Sequence, residues 1–337
     1  MGFHRRTSWI LVGICLALFP PARGEGAQVV LKLATLAPEG SAWMKTFHIA
    51  NAELDSKTDG ALKMRAYPGG VMGDEYAVLR KMRIGQIQIA GLTGLGLGSI
   101  CKDVQVFGTP FLFQNYDEVD YVLTKATGRL ERVLKENGFA LLGWSEIGFV
   151  YLMSNKPVDS LKTFKGAKVW MPEGDPVSQA VLKKSGVSPV SLEISDVLLA
   201  LQTGLVDVVY GSPVAAISLQ WFTKVKYITR VPLSYALGGV VITEKAFEEI
   251  PENYQGTFKE IFHTRVDTLN AQTRRDNEKA LQIFEREGIQ FVEPSAQELE
   301  RFQEMAREAT EEMAGKVFPV EILREVNSHL SELRGKK

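Results

Sequence analysis

The stretch from Val29 to Ala90 carries three strand signals, VVLKLATL at 29–36, LKMRAY at 62–67 and QIQIA at 86–90, separated by two helical ones. The first strand alternates and is rich in β-branched residues, and Pro38-Glu39-Gly40-Ser41 turns it into a helix. There Trp43, Phe47, Ala50 and Leu54 recur at helical spacing until Asp59-Gly60 ends the run. Pro68-Gly69-Gly70 closes the second strand, and a second helix over 74–84 stops at Gly85. A βαβαβ order predicts a parallel sheet with helices on both faces.

Working outward, strands are expected at 140–144, 150–154, 167–171, 206–210 and 240–243, with helices at 175–184 and 195–202. Pro251 opens a long helix running to about Glu287, where Gly288 stops it. Its ends are apolar, but 270–279 holds only Ala271 as an apolar residue. Such a helix either bridges two lobes or lies on the surface with a weak stripe. Ser295 and Glu298 have capping-box spacing and start another helix.

The chain has 337 residues, room for two domains at about 150 each. Hydrophobic residues make up 45% and charged ones 23%, which supports a substantial core and argues against disorder. With 39 basic and 40 acidic residues the net charge is −1, without the basic excess of a nucleic-acid binder. Two cysteines, Cys15 and Cys101, exclude a disulfide scaffold and a four-cysteine metal site. His4, Arg5 and Arg6 precede the apolar run WILVGICLALF at 9–19, and Pro20-Pro21-Ala22-Arg23-Gly24 follows. This is the pattern of a secretory signal over residues 1–26, cleaved near Gly24–Gly26, and the mature protein is expected in the periplasm.

Catalytic motifs are missing. His48, His263 and His329 lie in expected helices without a paired ligand, and no GxSxG, P-loop or HExxH occurs. Gly94-Leu95-Gly96-Leu97-Gly98-Ser99 imitates a dinucleotide loop, but Ser99 stands at the third glycine position and no clear helix follows. It reads as a flexible loop at the end of a strand, where such sheets bind ligands. Neither a cofactor nor a metal is expected, and the chain is not expected to be an enzyme.

Several segments in correct order resemble the DctP family, the extracytoplasmic solute-binding proteins of tripartite ATP-independent periplasmic (TRAP) transporters. They are Thr58-Asp59-Gly60 with Tyr67-Pro68-Gly69-Gly70-Val71-Met72-Gly73-Asp74-Glu75, then 85–90 (GQIQIA), 108–113 (GTPFLF), 164–169 (FKGAKV) and 200–207 (ALQTGLVD). The resemblance implies an α/β, two-lobe periplasmic-binding-protein fold (type II-like), the lobes joined by strands and a long bridging helix. Lobe one would be 27–147 plus 233–275, and lobe two 148–232 plus 276–337. It further implies a small-molecule ligand, hinge closure, and delivery to TRAP membrane permease subunits.

Two positions depart from the family pattern. Where an arginine usually binds the substrate carboxylate, this chain has Trp170, and where a second arginine commonly sits it has Val150. A desolvated carboxylate without a cationic partner costs several kcal/mol. The expected ligand is therefore apolar or aromatic rather than a simple dicarboxylate. Trp170 either offers the ligand a face or fills the space as core. An organic-acid binder with a compensating cation, Lys168 or Arg65, is the alternative, as is a periplasmic sensor or scaffold on the same fold. Loop position adds Ser41, Trp43, Thr93, Gly94, Glu146, Phe149, Glu173, Tyr210 and Ser212 as ligand-binding candidates. Glu146 with Glu173 would be the acid/base pair of an exported enzyme. An apolar ligand needs shielding in transit, which an accessory periplasmic subunit would supply.

Overall fold

The computed structural model describes residues 28–335. The signal segment expected over 1–26, with Cys15, lies outside the described residues. The chain opens as read: β1 (Val29–Thr35), α1 (Ala42–Lys57), β2 (Leu62–Tyr67), α2 (Glu75–Arg83) and β3 (Ile89–Thr93). β1 runs parallel to both β2 and β3. The third strand starts at Ile89 rather than Gln86, because the Gln88 side chain is held by Lys32 N (3.0 Å) and Gly85 O (2.7 Å), capping the strand instead of joining it.

The expected loop at 94–99 is a helix, α3 (Gly94–Ile100). Thr93 caps it, its hydroxyl oxygen accepting from Leu95 N (3.2 Å). A side chain at Gly98 would meet the Gln105 amide at 1.9 Å, so glycine here permits close packing rather than mobility. A 3₁₀ segment (Lys102–Gly108) and α4 (Tyr116–Glu136) follow.

The two strands expected at 140–154 are one, β4 (Phe139–Ser154), which carries the chain from one half of the molecule to the other. Beyond it lie α5 (Leu161–Lys165), β5 (Trp170–Pro172), α6 (Pro176–Ser185), β6 (Val190–Leu192), α7 (Val197–Thr203), β7 (Val208–Gly211), α8 (Pro213–Ser218) and β8 (Tyr227–Thr229). β9 (Ser234–Thr243) returns, antiparallel to both β4 and β3, followed by α9 (Glu244–Glu248). The sheet is therefore mixed, not parallel: its order is β10-β8-β4-β9-β3-β1-β2, with β7 also on β4. Returning strands were not legible from the βαβ rhythm of the first sixty residues.

The last elements are α10 (Glu252–Arg286), β10 (Gln290–Val292), α11 (Ala296–Met313) and α12 (Val320–Arg334). At ~1.5 Å per residue, α10 spans about 50 Å. Its polar middle does bridge. Asn270 Nδ2 donates to Trp144 O (2.8 Å) and its Oδ1 accepts from Glu146 N (2.8 Å). About two turns further on and on the same face, Asn277 Nδ2 donates to Ile147 O (3.1 Å) and Oδ1 accepts from Val214 N (3.0 Å). β4 breaks register with β9 between Glu146 and Gly148; Asn270 bonds the backbone just before that bulge and Asn277 the carbonyl of Ile147 within it.

Helices cover both faces of each half. Leu152, Val169 and Val208 enter one cluster in the second half, while their strand neighbours Met153, Trp170 and Val209 enter the opposite one, as a two-residue period requires. α11 packs on α6. α12 does not: Ile322, Val326 and Leu330 share a core with Val122, Ala126 and Leu130 of α4. The end of the chain thus folds back onto α4, where this amphipathic stripe finds its partner.

Candidate functional site

A cleft of about 490 Å³ lies between the halves. Its first wall comes from Leu36 and Pro38 after β1 and from Thr93 and Gly94 at the end of β3. Its second wall comes from Trp170, Glu173, Tyr210 and Ser212, with Ile147 and Val150 of the crossing strand between. Seven of the residues expected to bind ligand therefore meet here: Trp170, Val150, Glu173, Tyr210, Ser212, Thr93 and Gly94.

Four do not. Ser41 is the N-cap of α1, its hydroxyl accepting from Met44 N (3.3 Å). Trp43 packs edge-on against Phe47, with ring centroids 6.1 Å apart. Phe149 is buried against Tyr116 and Tyr235 (5.0 and 5.6 Å). Glu146 faces away from the cleft to Arg274 of α10, whose Nε lies 2.9 Å from Oε2. Arg274 also binds Asp120 (2.9 Å) and stacks over Tyr116 (4.4 Å). Burial pushes the Glu146 carboxyl up, and the Arg274 guanidinium opposes that shift. Glu146 and Glu173 thus belong to different surroundings and form no acid/base pair. The bulge in β4 decides this, since it offsets the alternation a regular strand would keep.

Trp170 is both floor and core. It is 3% exposed, its Nε1 donates to Leu192 O (3.0 Å), and its ring sits 5.3 Å from Tyr210 and 5.2 Å from Trp221. The two candidate compensating cations are elsewhere. Lys168 Nζ donates to Gly204 O (2.9 Å), and Arg65 lies over the Tyr67 ring (5.3 Å). Among the described residues, no lysine, arginine or histidine lines the cleft.

The polar groups of the walls are mostly engaged in holding helix ends. Glu75 is 3% exposed and accepts from Thr93 N (2.5 Å), Thr93 Oγ1 (2.7 Å) and Gly96 N (2.8 Å). Burial nevertheless raises its pKa, and the same cause raises that of Asp175, the N-cap of α6. Ser212 caps α8 through Ala215 N (3.3 Å). Burial also drives the Tyr210 phenol well above its ordinary value. Sequence reading missed Ile147, Gln105, Tyr76, Asp175, Ser178 and Glu193 on the walls. Asp175 was legible as a helix start, and its place at the end of β5 was the signal for the cleft; Gln105 sits in a 3₁₀ segment with no periodicity to read.

Two lobes, crossing strands, a long helix against the crossing and a cleft at the strand ends make a ligand-capturing architecture. Residues 33–316 match the DctP family, bacterial extracellular solute-binding protein family 7. The chain belongs to that family. Among DctP-family relatives, the C4-dicarboxylate-binding periplasmic protein DctP of Rhodobacter capsulatus is 25% identical over 323 residues, 93% of this chain and 95% of that one. The sialic acid-binding periplasmic protein SiaP of Vibrio cholerae is 25% identical over 300 residues, 87% and 91% of the two chains. The sugar acid binding protein DctPAm of Advenella mimigardefordensis, solved with galactonate, superposes with a TM-score of 0.85 at 19% identity, over 91% of this chain and 99% of that one. A TRAP periplasmic solute binding protein of Desulfovibrio salexigens, solved with orotic acid, gives 0.81 at 17% identity, over 90% and 99%. The protein is accordingly a TRAP solute-binding protein, from a transport family and not an enzymatic one.

Proposed function

We propose that this protein captures an apolar or aromatic solute in the periplasm and delivers it to the membrane subunits of a TRAP transporter. The observation that carries the choice of solute is the floor of the cleft: Trp170 occupies the place where the family resemblance implies a carboxylate-binding arginine, and no other cation lines the walls. Ile147, Val150, Leu219 and Trp221 extend the apolar surface around it. Burying an aromatic ring of ~150–250 Å² at ~25 cal/mol per Å² supplies a few kcal/mol.

Binding works by closure of the two lobes on the solute, since only the closed state lets both walls touch it. The lobe limits we propose are 27–147 with 233–275, and 148–232 with 276–319, helix α12 belonging to the first. Delivery of an apolar solute through water gives a place to an accessory periplasmic subunit that shields the open cleft. The N-terminal signal pattern and the periplasmic relatives support an exported location.

The test is calorimetric titration of the mature protein with indole and tryptophol against succinate and D-glucuronate. Heat from the aromatic molecules and none from the acids supports the reading. Saturable binding of either acid contradicts it.

A further inference from the structure

Five carboxyl-bearing residues line the cleft: Asp74 and Glu75 in the first wall, and Glu173, Asp175 and Glu193 in the second. Three are engaged with the fold. Glu75 holds Thr93 and Gly96, Asp175 holds Val177 N (3.0 Å) and Ser178 N (3.3 Å), and Asp74 accepts from Ala77 N (2.6 Å) at the start of α2. Glu173 and Glu193 are exposed, and neither forms an ion pair among the described residues. An anionic solute would meet these carboxylates without one compensating cation. The wall of a cleft that carries one sign of charge concentrates solutes of the other.

Two further polar groups lack partners. Gln105 is 7% exposed, lines the cleft, and its amide makes no hydrogen bond within the described protein. The Tyr210 hydroxyl is buried and unpartnered. A buried polar group without a partner is destabilising, so the Tyr210 hydroxyl favours a bound molecule that supplies one. A metal ion is not that molecule: no group of three His, Cys, Asp or Glu among the described residues could hold one. The carboxyls are spread along the walls, beside the rings of Trp170 and Tyr210, an arrangement that suits an organic cation whose charge is shared between carboxylates and aromatic faces.

We infer that the solute carries a protonated amine or quaternary ammonium on an apolar body, with its cationic end toward Glu173 and Glu193 and its body against Trp170, Val150 and Ile147; this rests on the reading that the cleft takes an apolar solute.

Equilibrium dialysis of the mature protein against matched sets tests it: tryptamine, tryptophol and indole-3-acetate; phenethylamine, phenethyl alcohol and phenylacetate; hexyltrimethylammonium, hexanol and hexanoate. The proposal expects the cation of at least one set to be retained about tenfold better than its neutral partner, with the preference shrinking as salt rises. Glu173→Gln with Glu193→Gln, both on exposed side chains, should lower retention of that cation about tenfold and narrow its advantage over the neutral partner. Equal retention of cation and neutral molecule overturns the charge inference while the apolar reading stands. Preferential retention of the acids overturns the charge inference, while their apolar bodies leave the apolar reading standing. Failure to retain any of the cations also overturns the inference, whatever else binds.

Discussion

Tyr76 of α2 donates its hydroxyl proton to the Gly174 carbonyl, 2.9 Å away, joining the first wall of the cleft to the second at their edge. The fit is close: a Cβ on Gly174 would lie 2.9 Å from the Tyr76 ring, and Gly174 sits at φ +75°, where a side chain is strained. Gly174→Ala therefore acts against this contact between the walls. Small-angle scattering of the ligand-free variant should give a larger radius of gyration than the wild type. Tyr76→Phe should do the same more weakly, since one exposed hydrogen bond contributes only ~0.5–1.5 kcal/mol. Unchanged scattering of Gly174→Ala would contradict the contact as a determinant of closure.

Asn277 links three elements, because its amide bonds Ile147 of β4 and Val214 of α8 from α10. It is largely buried, so Asn277→Ala leaves two backbone groups unmatched at the crossing. A loss of about 2–6 kcal/mol is expected in urea unfolding, from the usual ~1–3 kcal/mol for each of the two buried groups left without a partner. A loss below about 1 kcal/mol would mean that water replaces the amide there.

Glu75 sets a pH dependence whose sign is fixed by burial. Its folded pKa lies above the unfolded one, so between the two values the native state binds more protons than the unfolded state. Stability from this group is complete below the ordinary carboxyl range and falls as pH rises through the raised value. Glu75→Gln should reduce that decline in the ligand-free protein, measured as the urea midpoint from acid to neutral pH. An identical slope in the variant would contradict the assignment.

Trp170 should separate packing from binding. Trp170→Ala removes a ring in contact with Tyr210 and Trp221 and is expected to cost about 3–5 kcal/mol of stability, as large-to-small core changes do. Trp170→Phe keeps most of the packing but loses the bond to Leu192 O. It should stay folded, with thermal unfolding lowered by a few degrees and weakened retention of whichever aromatic molecule the wild type binds. Full retention by the Phe variant would make Trp170 core alone.

How far this was legible in the sequence depends on the range of the interaction. β1, α1, β2 and α2 follow local periodicity and appear within a residue or two of their expected limits. The 35-residue helix was readable because Pro251 and Gly288 bracket it, whereas its polar middle left a bridge and a surface stripe equally open. The antiparallel return of β9 was not, since it depends on pairing partners about a hundred residues apart. Gly94–Ile100 read as a loop because three glycines weaken a helix locally, while the Glu75 carboxylate and the close approach of Gln105 that favour it come from other elements. In the site, the same limit explains Glu146 and Phe149: the bulge near Gly148 turns them away from the cleft, and no composition rule shows a bulge. Family resemblance gave the architecture and located Trp170, but the acidic lining required the walls to be brought together.

Native mass spectrometry of the purified mature protein, before and after unfolding, tests the central claim most directly. The account predicts a copurifying molecule that leaves on unfolding and whose mass and fragmentation identify an apolar or aromatic body. A bound dicarboxylate or sugar acid would contradict it, and would place on this cleft a carboxylate that none of its lining side chains can neutralise.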